Sequence, residues 1–128
     1  MSLSDIIKLI IKAIIKALNP QPSPTPSPVP TPPPALQLLQ LHNSHRITLG
    51  LSTLNLNQAL GNAAQKHSNW MLTNNNMNHF ENGKGPGDRI TAEGYKWASY
   101  GENIASGYAT PQAVFQGWLN SSGHRANI

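Results

Sequence analysis

Hydrophobic and polar positions change rhythm twice along this chain, and the changes divide it into three. From Ile6 to Leu18 the run IIKLIIKAIIKAL is apolar except for Lys8, Lys12 and Lys16, one at every fourth residue. At about 100° per residue a step of four drifts by only ~40°, so the lysines make one stripe on an otherwise Ile, Leu and Ala helix. Ser4 or Asp5 is placed to cap its start, and Asn19-Pro20 closes it. At a rise of ~1.5 Å per residue this helix spans ~20 Å, short of a ~30 Å hydrocarbon core. Beyond it periodicity vanishes. PQPSPTPSPVPTPPP, residues 20–34, alternates proline with small residues. It predicts an extended polyproline-II spacer of ~3.1 Å per residue, about 45 Å if straight.

From Ala35 the helical rhythm returns. ALQLLQLHNSHRITL carries Leu38, Leu41 and Leu49 with Ile47 nearby, and Gly50 is placed to end that helix. Asn57 caps a second helix whose Leu60, Ala63, Ala64, His67, Trp70 and Met71 share one face. Asn74–Asn78 and Gly83–Gly87 read as loops, and Asp88–Glu93 as a single helical turn before Gly94. Tyr100–Ala105 reads as a short strand or extended segment. Thr110-Pro111 starts a last helix with Val114, Phe115, Trp118 and Leu119 inward, ended by Ser121-Ser122-Gly123.

Composition narrows the function classes. Nine of the eleven prolines lie between Pro20 and Pro34, so only about ninety residues remain to build a core. The formal charge of +4 divides evenly, +2 in the first nineteen residues and +2 in the rest. The six basic residues of the globular part are scattered, which argues against nucleic acid as a partner. Without cysteine there is no disulfide, thiolate metal site or thiol nucleophile. Lysines inside the apolar run and Asp5 before it give no clear secretory signal. The helix at residues 5–18 is instead expected to dock on a protein partner, to self-associate, or to lie on a membrane surface.

No GxSxG, HExxH, P-loop or GxGxxG pattern is present. Five histidines and four carboxylates in the globular part are the raw chemistry, and spacing does not choose among the histidines. Four motifs in order do. They are HNSHR (His42–Arg46), Met77-Asn78-His79-Phe80 followed by Gly87-Asp88-Arg89-Ile90 and Glu93-Gly94-Tyr95, Gly101-Glu102-Asn103-Ile104-Ala105, and Trp118-Leu119-Asn120-Ser121-Ser122-Gly123-His124-Arg125-Ala126-Asn127-Ile128. Together they resemble the HNxxR, histidine-loop, GEN and GHRxNI signatures of the CAP superfamily (SCP domain), in its bacterial branch.

The resemblance implies an α+β fold, a CAP-type α-β-α sandwich over residues 35–128. The family's closing strands are missing after Ile128, so the sandwich is expected to be a fragment, to be completed by another chain, or to have shrunk to a smaller helical unit. An isolated amphipathic helix (1–19) and a proline-rich linker (20–34) precede it. It implies a polar cavity carrying His79, Glu102 and His124, able to take zinc or another divalent cation. Neutral imidazoles and a nearby carboxylate suit that chemistry. Asn43, Arg46, Gly101, Asn103, Trp118, Gly123 and Arg125 are expected to brace the fold, the two glycines through tight backbone turns. His42 and His45 are expected to pack or face solvent, and His67 to be a satisfied core histidine.

Three functions fit that expectation. The first is a tethered binding module, extracellular, on a cell surface or on a particle, taking a lipid or cell-envelope ligand. The second is a metal-dependent hydrolase of peptide or cell-wall substrates, with Glu102 as general base or ligand. The third is a structural or assembly protein of a cell surface or virion, displaying the globule through its leading helix.

Overall fold

The structure is a computed structural model that describes residues 32–128. The helix expected at residues 5–18 and the tract up to residue 31 lie outside the described residues. The first described helix, α1, spans Pro34–Thr48 and opens with proline at its first position, where no backbone donor is lost. Gly50 at φ +68° turns the chain away, and the Leu51 amide returns to the Arg46 carbonyl at 2.9 Å. The inward stripe is Leu38 and His42, with Leu41 half-buried. Ile47 falls about 180° from Leu38 on the helix wheel and is exposed, as is Leu49 beyond the helix end.

The second helix, α2, covers Gln58–Thr73, and Asn57 accepts from the Leu60 amide at 3.2 Å. Leu60, Ala63, Ala64, His67, Ser68 and Met71 are its buried face. A short α3, Pro86–Ala92, begins two residues before the expected turn. Pro86 supplies the first helical residue, and Asp88 Oδ2 reaches back to the Gly85 amide at 2.9 Å. Then α4, Pro111–Leu119, starts under the Thr110 side chain, which accepts from the Ala113 amide. The run Ser121-Ser122-Gly123 does not simply end it. Ser122–Arg125 forms one further turn, α5.

Helix α1 packs on α4, and α2 on α3. Leu38, Ala105, Val114, Phe115, Trp118 and Ile128 make one core cluster, so the two ends of the described chain meet there. Leu60, Ala63 and Ile90, with Tyr95, make a second.

The expected sheet between helices is only partly realised. Among the described residues there is no named strand, only an isolated bridge between Glu81 and Lys84. Tyr100–Ala105 is non-helical, but it is not assigned as a strand. Strand identity is conferred by a hydrogen-bonded neighbour. Here side chains fill part of that role, Trp118 Nε1 donating to the Ile104 carbonyl and Asn127 Nδ2 to that of Glu102.

Candidate functional site

His79 sits on a loop whose shape is set by buried side chains. The Phe80 amide donates to Asn78 Oδ1 at 3.0 Å, which folds residues 78–80 into a tight turn around His79. Beneath it lies His67, 0 % exposed, with Nε2 2.9 Å from the Asn78 carbonyl and Nδ1 2.6 Å from Glu81 Oε2. Glu81 and Lys84 exchange two backbone bonds, and Asn82 and Gly83 between them both have positive φ. That is the two-residue turn for which an Asn-Gly pair is suited.

Arg89, on α3, closes the arrangement. Its Nη1 donates to the His79 carbonyl at 2.9 Å and its Nη2 to Glu102 Oε2 at 2.5 Å. Glu102 Oε1 lies 2.7 Å from His79 Nδ1. Both carboxylate oxygens are therefore engaged, and the Glu102 side chain is 2 % exposed against 5 % for Arg89. The guanidinium compensates the buried charge of the carboxylate, which a lone carboxylate there would not survive. The imidazole, 44 % exposed, is held at Nδ1 by a fixed acceptor. A neutral ring that donates through Nδ1 keeps its lone pair on Nε2. No described group bonds that nitrogen.

His124 is brought toward the same segment by a different route. Its carbonyl accepts from Asn103 Nδ2 at 2.9 Å, and its own Nδ1 lies 2.8 Å from Ser121 Oγ. Asn103 is 0 % exposed and also accepts from Asn127 Nδ2. Residues 102 and 103, neighbours on the chain, thus hold the loop of His79 with one side chain and α5 with the next. His124 bonds neither His79 nor Glu102. Among the described residues no three His, Asp or Glu side chains are grouped to hold a metal ion. The fit to a divalent cation is partial, with two imidazoles whose Nε2 atoms bond no described group and a carboxylate already committed to orienting one of them.

Of the remaining expected residues all but Gly123 brace the fold, Gly101 for a different reason than anticipated. Asn43 donates to the Leu54 carbonyl at 2.9 Å and accepts from the Leu54 amide at 2.7 Å. Arg46 ties the carbonyls of Ser52 and Ile128 to α1. Trp118 is 2 % exposed, and Arg125 donates to the Leu119 carbonyl at the end of α4. Gly101 has no positive φ; a Cβ there would lie 2.7 Å from Asn127 Oδ1, so close approach requires it rather than a turn. Gly123 needs neither, since it lies inside α5 with open space around it. His42 is buried with Nδ1 2.7 Å from the Leu38 carbonyl, and His45 meets Phe115 edge to face.

Arg89 is the candidate site residue that sequence reasoning left without a role. Its signal was its place in the Gly87-Asp88-Arg89-Ile90 motif, which names the residue but not the carboxylate it meets. A pocket of about 130 Å³ opens between the end of α2, Asn75–Met77 and Ala105–Ser106. Neither His79, Glu102 nor His124 lines it.

Comparison with known proteins shows the family. The model of the CAP family, described as the cysteine-rich secretory protein family, matches residues 39–128. The uncharacterized protein YkwD of Bacillus subtilis is 36% identical over 93 residues, covering 72% of this chain and 36% of the relative. The uncharacterized membrane protein YlbC of the same organism is 38% identical over 90 residues, 70% of this chain and 26% of the relative. A crystal structure of an extracellular protein containing an SCP domain, from Bacillus anthracis, superposes with a TM-score of 0.69 at 36% identity. That match covers 72% of this chain and 31% of that one. The chain thus spans about a third of the relatives it matches. It belongs to the CAP family, in the bacterial form of these SCP-domain proteins, and is built without a cysteine.

Proposed function

We propose that this chain is the CAP module of an extracytoplasmic protein, a binding module rather than an enzyme. Its recognition centre is His79 with its supports, Glu102 and Arg89, and His124 is the second donor. The observation that carries this reading is the commitment of Glu102. With Oε1 2.7 Å from His79 Nδ1 and Oε2 bound to Arg89, the carboxylate has no free oxygen to act as a base and serves to orient the ring. What is left open is imidazole Nε2, a nitrogen suited to a cation or to a ligand donor. Two imidazoles are too few to close a structural zinc site, which takes four ligands. They are enough for an exchangeable site completed by water, in which the cation would supply a positive anchor for an anionic or carbonyl ligand.

The extracytoplasmic placement rests on the extracellular SCP-domain protein it resembles. No described helix is long and apolar enough to cross a membrane. Attachment is assigned to the lysine-striped segment at residues 5–18, through a partner chain or a membrane surface. Calorimetric titration of zinc into the full chain tests the centre. Heat is expected from the wild type and is expected to fall away in His79→Ala and His124→Ala. Equal heats from all three would remove the metal and leave His79 a hydrogen-bonding group only.

A further inference from the structure

Beside His79 the surface carries a feature that the recognition centre does not use. Phe80, Trp97 and Tyr100 are 58 %, 42 % and 45 % exposed. They cover the backbone at the start of α3, Phe80 at Gly85 and the other two at Gly87. The Phe80 ring lies over Gly85, and Trp97 and Tyr100 cover Gly87 so closely that a Cβ there would stand 2.8 Å from the tyrosine ring. Trp97 and Tyr100 touch edge to face, centroids 4.7 Å apart at 87°. The Trp97 indole N–H is turned inward, within bonding distance of Thr91 Oγ1 and the Gly87 carbonyl. What faces outward is ring carbon, an aromatic shelf fixed from below.

We propose that this shelf is the docking surface for the chain's own proline-rich segment, residues 20–31. Proline-rich segments are recognised by aromatic surfaces, because pyrrolidine rings stack on aromatic faces and a polyproline strand surrenders little entropy when it binds. The tract is a poor ligand for anything charged, since residues 20–34 contain no acidic or basic side chain. The described end of the tract already has that conformation, with Pro33 at φ −51° and ψ 148°. It is also pinned to the globule, Gln37 Nε2 donating to the Pro32 carbonyl at 2.5 Å. From there residues 20–31 reach ~37 Å if extended. A globule of this size is roughly 32 Å across, by the usual scaling of radius with length. Joined to the domain, the tract is present at an effective concentration in the millimolar range, so even a weak contact is populated. This inference stands apart from the metal reading of the centre.

The test uses the full chain. It has no cysteine, so Ser27→Cys can carry a single nitroxide in the middle of the tract. In nitrogen-15 spectra the signals of Phe80, Tyr100 and the Trp97 indole are expected to lose most of their intensity. Those of Gln112 and Gln116, on the exposed side of α4, are expected to keep it. Replacing the six prolines between residues 20 and 30 by serine at equal length should restore the shelf signals. Loss confined to another face, or no loss, overturns the proposal. So does loss that survives the serine replacement, which would reflect tethering without recognition. Loss seen when unlabelled nitrogen-15 chains are mixed with nitroxide chains would place the tract on a neighbouring molecule and also overturn it. Trp97→Leu with Tyr100→Leu should free Phe80 from broadening, and the serine chain decides the question if that double variant fails to fold.

Discussion

Glu102 and Arg89 are almost wholly out of contact with water and share a bond of 2.5 Å, so each is tolerable only because of the other. Removing one partner strands an unpaired charge in the interior, a loss of about 3–5 kcal/mol. Glu102→Ala is expected to lower stability by that amount in urea unfolding. Glu102→Gln keeps the shape and an acceptor, so a smaller loss of about 1–3 kcal/mol is expected. A Glu102→Ala protein as stable as the parent would mean that water reaches the pair. Asn43 supports a similar argument without charge. Its two bonds to Leu54, a residue 4 % exposed, make Asn43→Ala worth roughly 2 kcal/mol, at about 1 kcal/mol per bond. Chemical denaturation reads that as a lower midpoint at unchanged slope.

Two glycines at helix α3 and helix α5 separate close packing from mere presence in a motif. Gly87 lies under the rings of Tyr100 and Trp97, so Gly87→Ala must displace them and is expected to cost 1–3 kcal/mol, as overpacking does. Gly123 lies in α5 with space around it and no positive φ. Gly123→Ala is therefore expected to be neutral or to stabilise by about 0.4–1 kcal/mol. Comparing the two midpoints in thermal melts checks both, and the prediction fails if Gly123→Ala is the worse of the pair.

What the sequence showed at the scale of elements follows the range of the forces involved. Caps are local, so Asn57 and Thr110 marked the starts of α2 and α4 correctly. The start of α3 was missed by two residues because Pro86, flanked by glycines, reads as loop until Asp88 is seen reaching back. Tyr100–Ala105 was ambiguous because strand pairing is a long-range matter. The contact between His79 and Glu102 was legible only through family resemblance, since 23 residues separate them in the chain. Arg89 was legible as part of the Gly87-Asp88-Arg89-Ile90 motif, but its role was not, because nothing along the chain states which carboxylate an arginine will meet.

Taken whole, the described residues are held by two apolar clusters. The larger one unites Leu38 of α1, Trp118 of α4 and Ile128, so its disruption should loosen the described chain at both ends together. Trp118→Ala is expected to cost about 3–5 kcal/mol and Leu38→Ala about 2–5 kcal/mol. Hydrogen exchange in either variant should speed up in α1 and α4 together, and faster exchange in one of them alone would show that the two helices open independently.

The paired bonds between Asn43 and Leu54 belong to a wider habit of this fold. Carboxamide, guanidinium and imidazole groups at positions 43, 46, 67, 89 and 103 grip peptide oxygens of loops and of the last helical turn. Shape in the irregular half is thereby written in head-group chemistry, not in greasy volume. A library that shuffles aliphatic side chains at constant size should return mostly folded chains. One that exchanges asparagine for aspartate at 43 or 103 trades a donor for a charge of nearly the same outline, and selection for folding should purge it.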